Sequence, residues 1–151
     1  MISKSLVATL LVWIAQHTGY AIPGDMPEID QVPYADLESR YCHGPCAILG
    51  LTTPQGIVLL DSNLQIDADP AATSILVHEL THFLQRANAP AGMTVDCKTW
   101  MAREEEAYDM QYTWLHETAP SIRVLSAAMA ELGTQPIILN CTGDHAASGQ
   151  P

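Results

Sequence analysis

From Ala71 to Ala89 the chain contains neither Gly nor Pro, and both ends of that stretch are punctuated. Asp69-Pro70 precedes it: an Asp side chain can accept from the free N–H groups of a first turn, and the fixed φ of Pro suits the first helical position. Pro90-Ala91-Gly92 follows it and stops a helix. The stretch is therefore predicted to be helical to about Ala87, with Ile75, Leu76, Leu80, Phe83 and Leu84 supplying apolar surface. Inside it lies His78-Glu79-Leu80-Thr81-His82. Residues four apart share a helix face, so His78 and His82 can offer ring nitrogens to one metal ion. Glu79, one residue on, then sits beside that ion, where it can take a proton from water. Burying two His and a Glu on such a helix is costly without partners, which argues against an idle surface pair.

A catalytic zinc commonly has three protein ligands and one open position. A third His shortly after the motif is ruled out, because Gln85 and Asn88 occupy the positions where a metzincin has its Gly and its last His. A second helix, predicted from about Lys98 to Glu117 and ending before Pro120, carries Glu104-Glu105-Glu106. Met101, Glu104, Tyr108, Gln111 and Leu115 form one stripe at helical spacing, which turns Glu104 inward. Glu105 and Glu106 stay open as alternatives, Glu106 sharing its face with Ala102, Arg103, Asp109 and Met110. His116 is a further candidate ligand, placed near a helix end where a cation is favourable.

The remaining elements are short. Pro23, Pro27 and Pro33 make residues 22–45 an irregular lead-in, with a short helix over Ala35–Tyr41. Ala47–Thr52 and Ile57–Leu60 flank the turn signal Thr53-Pro54-Gln55-Gly56 and read as a β-hairpin. Ser121 can cap a third helix over Ile122–Leu132, Pro136–Leu139 reads as a weak final strand, and residues 142–151 form a small, polar, flexible tail. The expected fold class is α+β: a β-hairpin or small sheet packed on two helices within a domain spanning 46–141.

Composition narrows the partners. Six Lys+Arg against seventeen Asp+Glu give a net charge of −11, which disfavours a phosphate-binding surface and hence nucleic acid. Lys4, the apolar run Leu6–Ala15 and the small residues Gly19 and Ala21 have the layout of a secretory signal peptide cut before Ile22. That run is too short to span a bilayer, so no integral membrane segment remains after the cut. Its removal leaves 130 residues with a charge of −12, since Lys4 is the only charged residue lost. The expected location is secreted or periplasmic. An even count of four cysteines in an exported chain points to disulfides. Cys42–Cys46 around His43-Gly44-Pro45 and Cys97–Cys141 are the favoured pairs. The second would stabilise by about 3–4 kcal/mol in the loop-entropy picture.

With these residues in view, the chain resembles the gluzincins, zinc metallopeptidases with HExxH on one helix and a glutamate on a later one. His78-Glu79-Leu80-Thr81-His82, then twenty-one residues, then Glu104-x-x-Ala107 carry the likeness, which covers roughly residues 46–116. Leu-x-His-Glu-Leu-Thr-His-x-Leu-Gln, ending at Gln85, also resembles small bacterial metallopeptidase-like domains. The resemblance implies a zincin-like minimal domain with Zn2+ held by His78, His82 and Glu104, and Glu79 as general base. Tyr108 stands where such groups often have Asp or Asn to support a zinc histidine, and Asp109 could replace it. The implied reaction is peptide-bond hydrolysis on a peptide or protein substrate by a monomer, with Tyr108 and Tyr112 as candidate oxyanion donors. Strand Ile57–Leu60 is the expected edge for an extended peptide to join. The alternative is a zinc-containing domain that binds a peptide or envelope partner without turnover.

Overall fold

The computed structural model describes residues 2–42 and 47–120. In chain order the elements are α1 (Lys4–Thr18), β1 (Ile29–Val32), α2 (Tyr34–Tyr41), β2 (Gly50–Thr52), β3 (Val58–Asp61), α3 (Pro70–Ala87) and α4 (Cys97–Thr118). The architecture is α+β, with the helices packed around one small mixed sheet. The helix expected over Ile122–Leu132, the strand over Pro136–Leu139 and the tail lie outside the described residues.

Every residue of β3 is buried, so both of its hydrogen-bonding edges need partners. The predicted hairpin supplies one. β2 runs antiparallel to β3, with Gly50 opposite Leu60 and Thr52 opposite Val58. The turn closes as Thr53-Pro54-Gln55-Gly56, where the Gly56 N–H donates to the Thr53 carbonyl at 2.9 Å and Gly56 takes φ +85°. That φ is open to glycine and strained for a residue with a Cβ. The other edge is taken by β1, which pairs in parallel with Ile29 opposite Val58 and Val32 opposite Asp61. Two expectations are corrected here. The lead-in is not wholly irregular. Strand 57–60 is not an edge, because β3 lies between β1 and β2. Among the described residues the sheet edge nearest α3 is that of β2, which packs against that helix.

The two long helices form as the punctuation implies. Asp69 accepts from the Ala71 N–H at 2.9 Å, with Pro70 in the first turn of α3. Asp96 accepts from the Thr99 N–H at 2.7 Å and opens α4 one residue earlier than expected. Leu76, Val77, Leu80 and Leu84 of α3 are fully buried, and Ala107 of α4 is as well. The small Ala107 side chain lets α4 lie close to α3, and Gln111 donates across to Ser74 at 3.2 Å.

The N-terminal segment packs into this core. Ser3 caps α1, and Gly19 ends it at φ +79°. Val7, Leu10, Leu11 and Ile14 join the apolar cluster that contains Leu76, Val77, Leu80 and Leu84. Trp13 Nε1 donates to Glu117 at 2.9 Å, and the Tyr20 hydroxyl donates to Glu106 at 2.7 Å. Ala21 is held by Asn88 through its N–H and its carbonyl, both at 2.9 Å, beside the bond expected to be cut. Among the described residues no helix is long and apolar enough to cross a membrane. Cys42 and Cys97 are disulfide-bonded. Cys46 and Cys141, their favoured partners, lie outside the described residues.

Ile14 has no exposed surface, so Ile14→Ala in the full chain should lower unfolding stability by about 2–4 kcal/mol. Val12, 47% exposed on the same helix, should tolerate alanine within about 0.5 kcal/mol. Urea unfolding of both variants reads the difference, and equal midpoints would mean that α1 does not pack in solution.

Candidate metal centre

Three elements meet at the site. α3 contributes His78, Glu79, His82 and Gln85, α4 contributes Glu104 and Tyr108, and β2 contributes Gly50 and Thr52. The four-residue spacing brings His78 Nε2 and His82 Nε2 to 3.1 Å. The Glu104 carboxylate faces both, with one oxygen 3.4 Å from His78 Nε2 and the other 3.2 Å from His82 Nε2. One donor atom from each residue lies within 4.8 Å of the others, the arrangement of a group that could hold a metal ion. Among the described residues this is the one such His/Cys/Asp/Glu group.

The other candidates fall elsewhere. Glu105 and Asp109 are exposed on α4, and His116 is exposed near its end. Glu106 faces away from the histidine pair and instead accepts hydrogen bonds from Gln85 and Tyr20. Of the three adjacent glutamates, only Glu104 reaches the two histidines, while Glu106 meets α3 at Gln85.

Charge in the cluster is tightly balanced. Burial works against ionised Glu104, but hydrogen bonds from His78 and His82 outweigh it and hold the carboxyl at about 2. Burial likewise works against charged His82, yet Glu104 lifts that imidazole to about 9. Opposite charges a few ångströms apart in a low-dielectric setting explain both directions. Glu79 is pushed above its ordinary value by burial, against the pull of His78, His82 and Thr52.

The supporting contacts are those that the sequence did not reveal. The Thr52 hydroxyl reaches the Glu79 carboxylate and the Glu79 backbone carbonyl, both at 2.9 Å. Gly50 leaves room for the same side chain: a Cβ there would stand 2.8 Å from Glu79 Cγ and 2.9 Å from Oε1. A lone glycine in a strand marks a close approach of another group, so this signal was available in β2. The expectation that Asp109 supports a histidine is corrected. His82 Nδ1 meets the Gln85 amide oxygen at 2.8 Å, while Asp109 is exposed. Tyr108 packs its ring edge against His78, with centroids 4.5 Å apart, and stacks on Tyr112. Burial, with Glu104 and Glu79 nearby, pushes the Tyr108 phenol up to about 12, so it stays a donor. His78 Nδ1 is buried with no hydrogen-bond partner among the described residues.

A family model described as a domain of unknown function, DUF6647, matches residues 1–132. The chain belongs to the DUF6647 family. The matched stretch contains α1, α3 and α4 and therefore every residue of the cluster. Neither the curated proteins nor the solved structures contain a match to the chain.

Gly50→Ala should displace the Glu79 side chain and lower stability by about 1–3 kcal/mol, since overpacking has little slack against a carboxylate held on its other side. Thermal unfolding of the variant checks this, and a wild-type midpoint would mean that β2 yields instead.

Proposed function

We propose that the chain is a zinc-dependent peptidase of the gluzincin kind, built on a zincin-like minimal domain. The observation that carries the reading is the convergence of His78 Nε2, His82 Nε2 and the Glu104 carboxylate. Two imidazole nitrogens and one carboxylate are the His2Glu donor set of catalytic zinc, which leaves one position open. The buried, hydrogen-bonded Glu79 beside the set also supports it, because a site that only binds metal has no use for a carboxylate there.

When bound, zinc supplies a Lewis acid that acidifies water and polarises the scissile carbonyl. The chain's own residues do the rest. Thr52 occupies Glu79 Oε2 and so leaves Oε1 to accept the proton of the attacking water. The same carboxyl then returns a proton to the leaving amine. Tyr108, kept protonated and packed on His78, would be the donor to the developing oxyanion. An extended peptide or protein substrate adds along the open edge of β2, next to Glu79. The acidic surface turns nucleic acid away, and the N-terminal segment suits a secreted or periplasmic monomer.

The full chain should take up one zinc ion and cleave members of a mixed peptide library, with cleavage lost on adding a chelator. Glu79→Gln should keep the zinc and lower turnover by at least about 10²-fold. Glu104→Gln should weaken zinc binding. Zinc binding without any cleavage would favour the non-catalytic role. Absence of zinc binding would overturn the reading altogether.

A further inference from the structure

The Gln85 side chain has one orientation that satisfies its neighbours. Its Nε2 lies 2.9 Å from the Arg103 carbonyl and 2.8 Å from Glu106 Oε2, and both of these groups accept. Oε1 must therefore face His82, which makes His82 Nδ1 the donor in their 2.8 Å contact. With Nδ1 committed to Gln85, Nε2 is the nitrogen that faces His78 and Glu104, and it is the one that would give its lone pair to a metal ion there.

The chain of contacts continues outward. Glu106 Oε2 also accepts from the Tyr20 hydroxyl at 2.7 Å, so one carboxylate oxygen is shared by Gln85 and Tyr20. Burial and Glu106 push the Tyr20 phenol up to about 12, which keeps it a donor. Tyr20 is itself positioned by its surroundings. Gly19 turns the chain out of α1, and Ala21 is clamped at both backbone groups by Asn88, the residue that caps α3 three positions beyond Gln85.

We propose that Tyr20 is a positioning residue for the metal centre, acting through Glu106 and Gln85 to orient His82. The segment that reads as an export signal is then also a working part of the site, and a cut before Ile22 removes its outermost link. This rests on the assignment of His82 as a metal ligand. Partners one step outside a ligating histidine are typically worth 10–100-fold in metal affinity, and Tyr20 lies further out.

The test is zinc affinity of the full-length chain, measured by competition with a chromogenic chelator. Glu106→Leu should weaken zinc binding by about tenfold, and Tyr20→Phe by about threefold or more. Glu106→Gln keeps an acceptor oxygen and should stay within about twofold of wild type. In the cobalt-loaded chain, Tyr20→Phe, which keeps the ring and removes only the hydroxyl, should speed the solvent exchange of the His82 Nδ1–H resonance. A Tyr20→Phe chain with wild-type affinity and wild-type exchange overturns the proposal. A wild-type chain that binds neither zinc nor cobalt overturns the metal assignment itself and is distinguished by that result.

Discussion

The contact between α3 and α4 is where the fold carries its greatest electrostatic cost. His78, Glu79 and Gln85 are almost wholly buried there, and His82 and Glu104 nearly so. Charged or polar groups in such a place must be paired, or the free energy of removing them from water goes uncompensated. Each group answers to another: Glu104 faces both imidazoles, Thr52 holds Glu79, and Gln85 holds His82. Leu76, Leu80 and Leu84, on the opposite side of α3, pack into the apolar core and hold that helix in place beneath these interactions.

That constraint explains the arrangement of the smaller elements. β2 must come close to α3 to reach Glu79, and only a residue without a Cβ fits at Gly50. β3 backs β2 and is buried along its length, which recruits β1 to its far edge. α1 covers the remaining apolar flank of α3 with Val7, Leu10, Leu11 and Ile14. The three-residue β2 and the two long helices are thus parts of one device in which a strand edge and a buried carboxylate lie side by side.

Much of this was legible along the chain, where the signal was local. Asp69-Pro70 opens a helix through its own groups, and Thr53–Gly56 closes a turn by itself, so α3, α4 and β3 were predictable to within a residue or two, while β2 starts at Gly50, three residues after the expected Ala47. Helical spacing also favoured Glu104 over Glu105 and Glu106, because a face is a local property, but only the packing of α4 on α3 set Glu104 against both histidines. β1 was missed for the opposite reason. Its four residues show no alternation of burial and pair only because β3, far along the chain, has a free edge. α1 was read by its composition, which is the same for a leader and for a core helix until its partner on α3 is known.

What the sequence by itself determined is the chemistry on each helix: two histidines on one face, a glutamate beside them, and an inward-turned glutamate on the next. Their period is set by backbone hydrogen bonding within a few residues, so it needs no tertiary information. Only the tertiary structure decided which groups complete the site. Thr52 is 27 residues from Glu79, Glu106 is 21 from Gln85, and Tyr20 is 86 from Glu106. Contacts over such separations arise when buried polar groups find partners as the layers close, and no spacing along the chain encodes them.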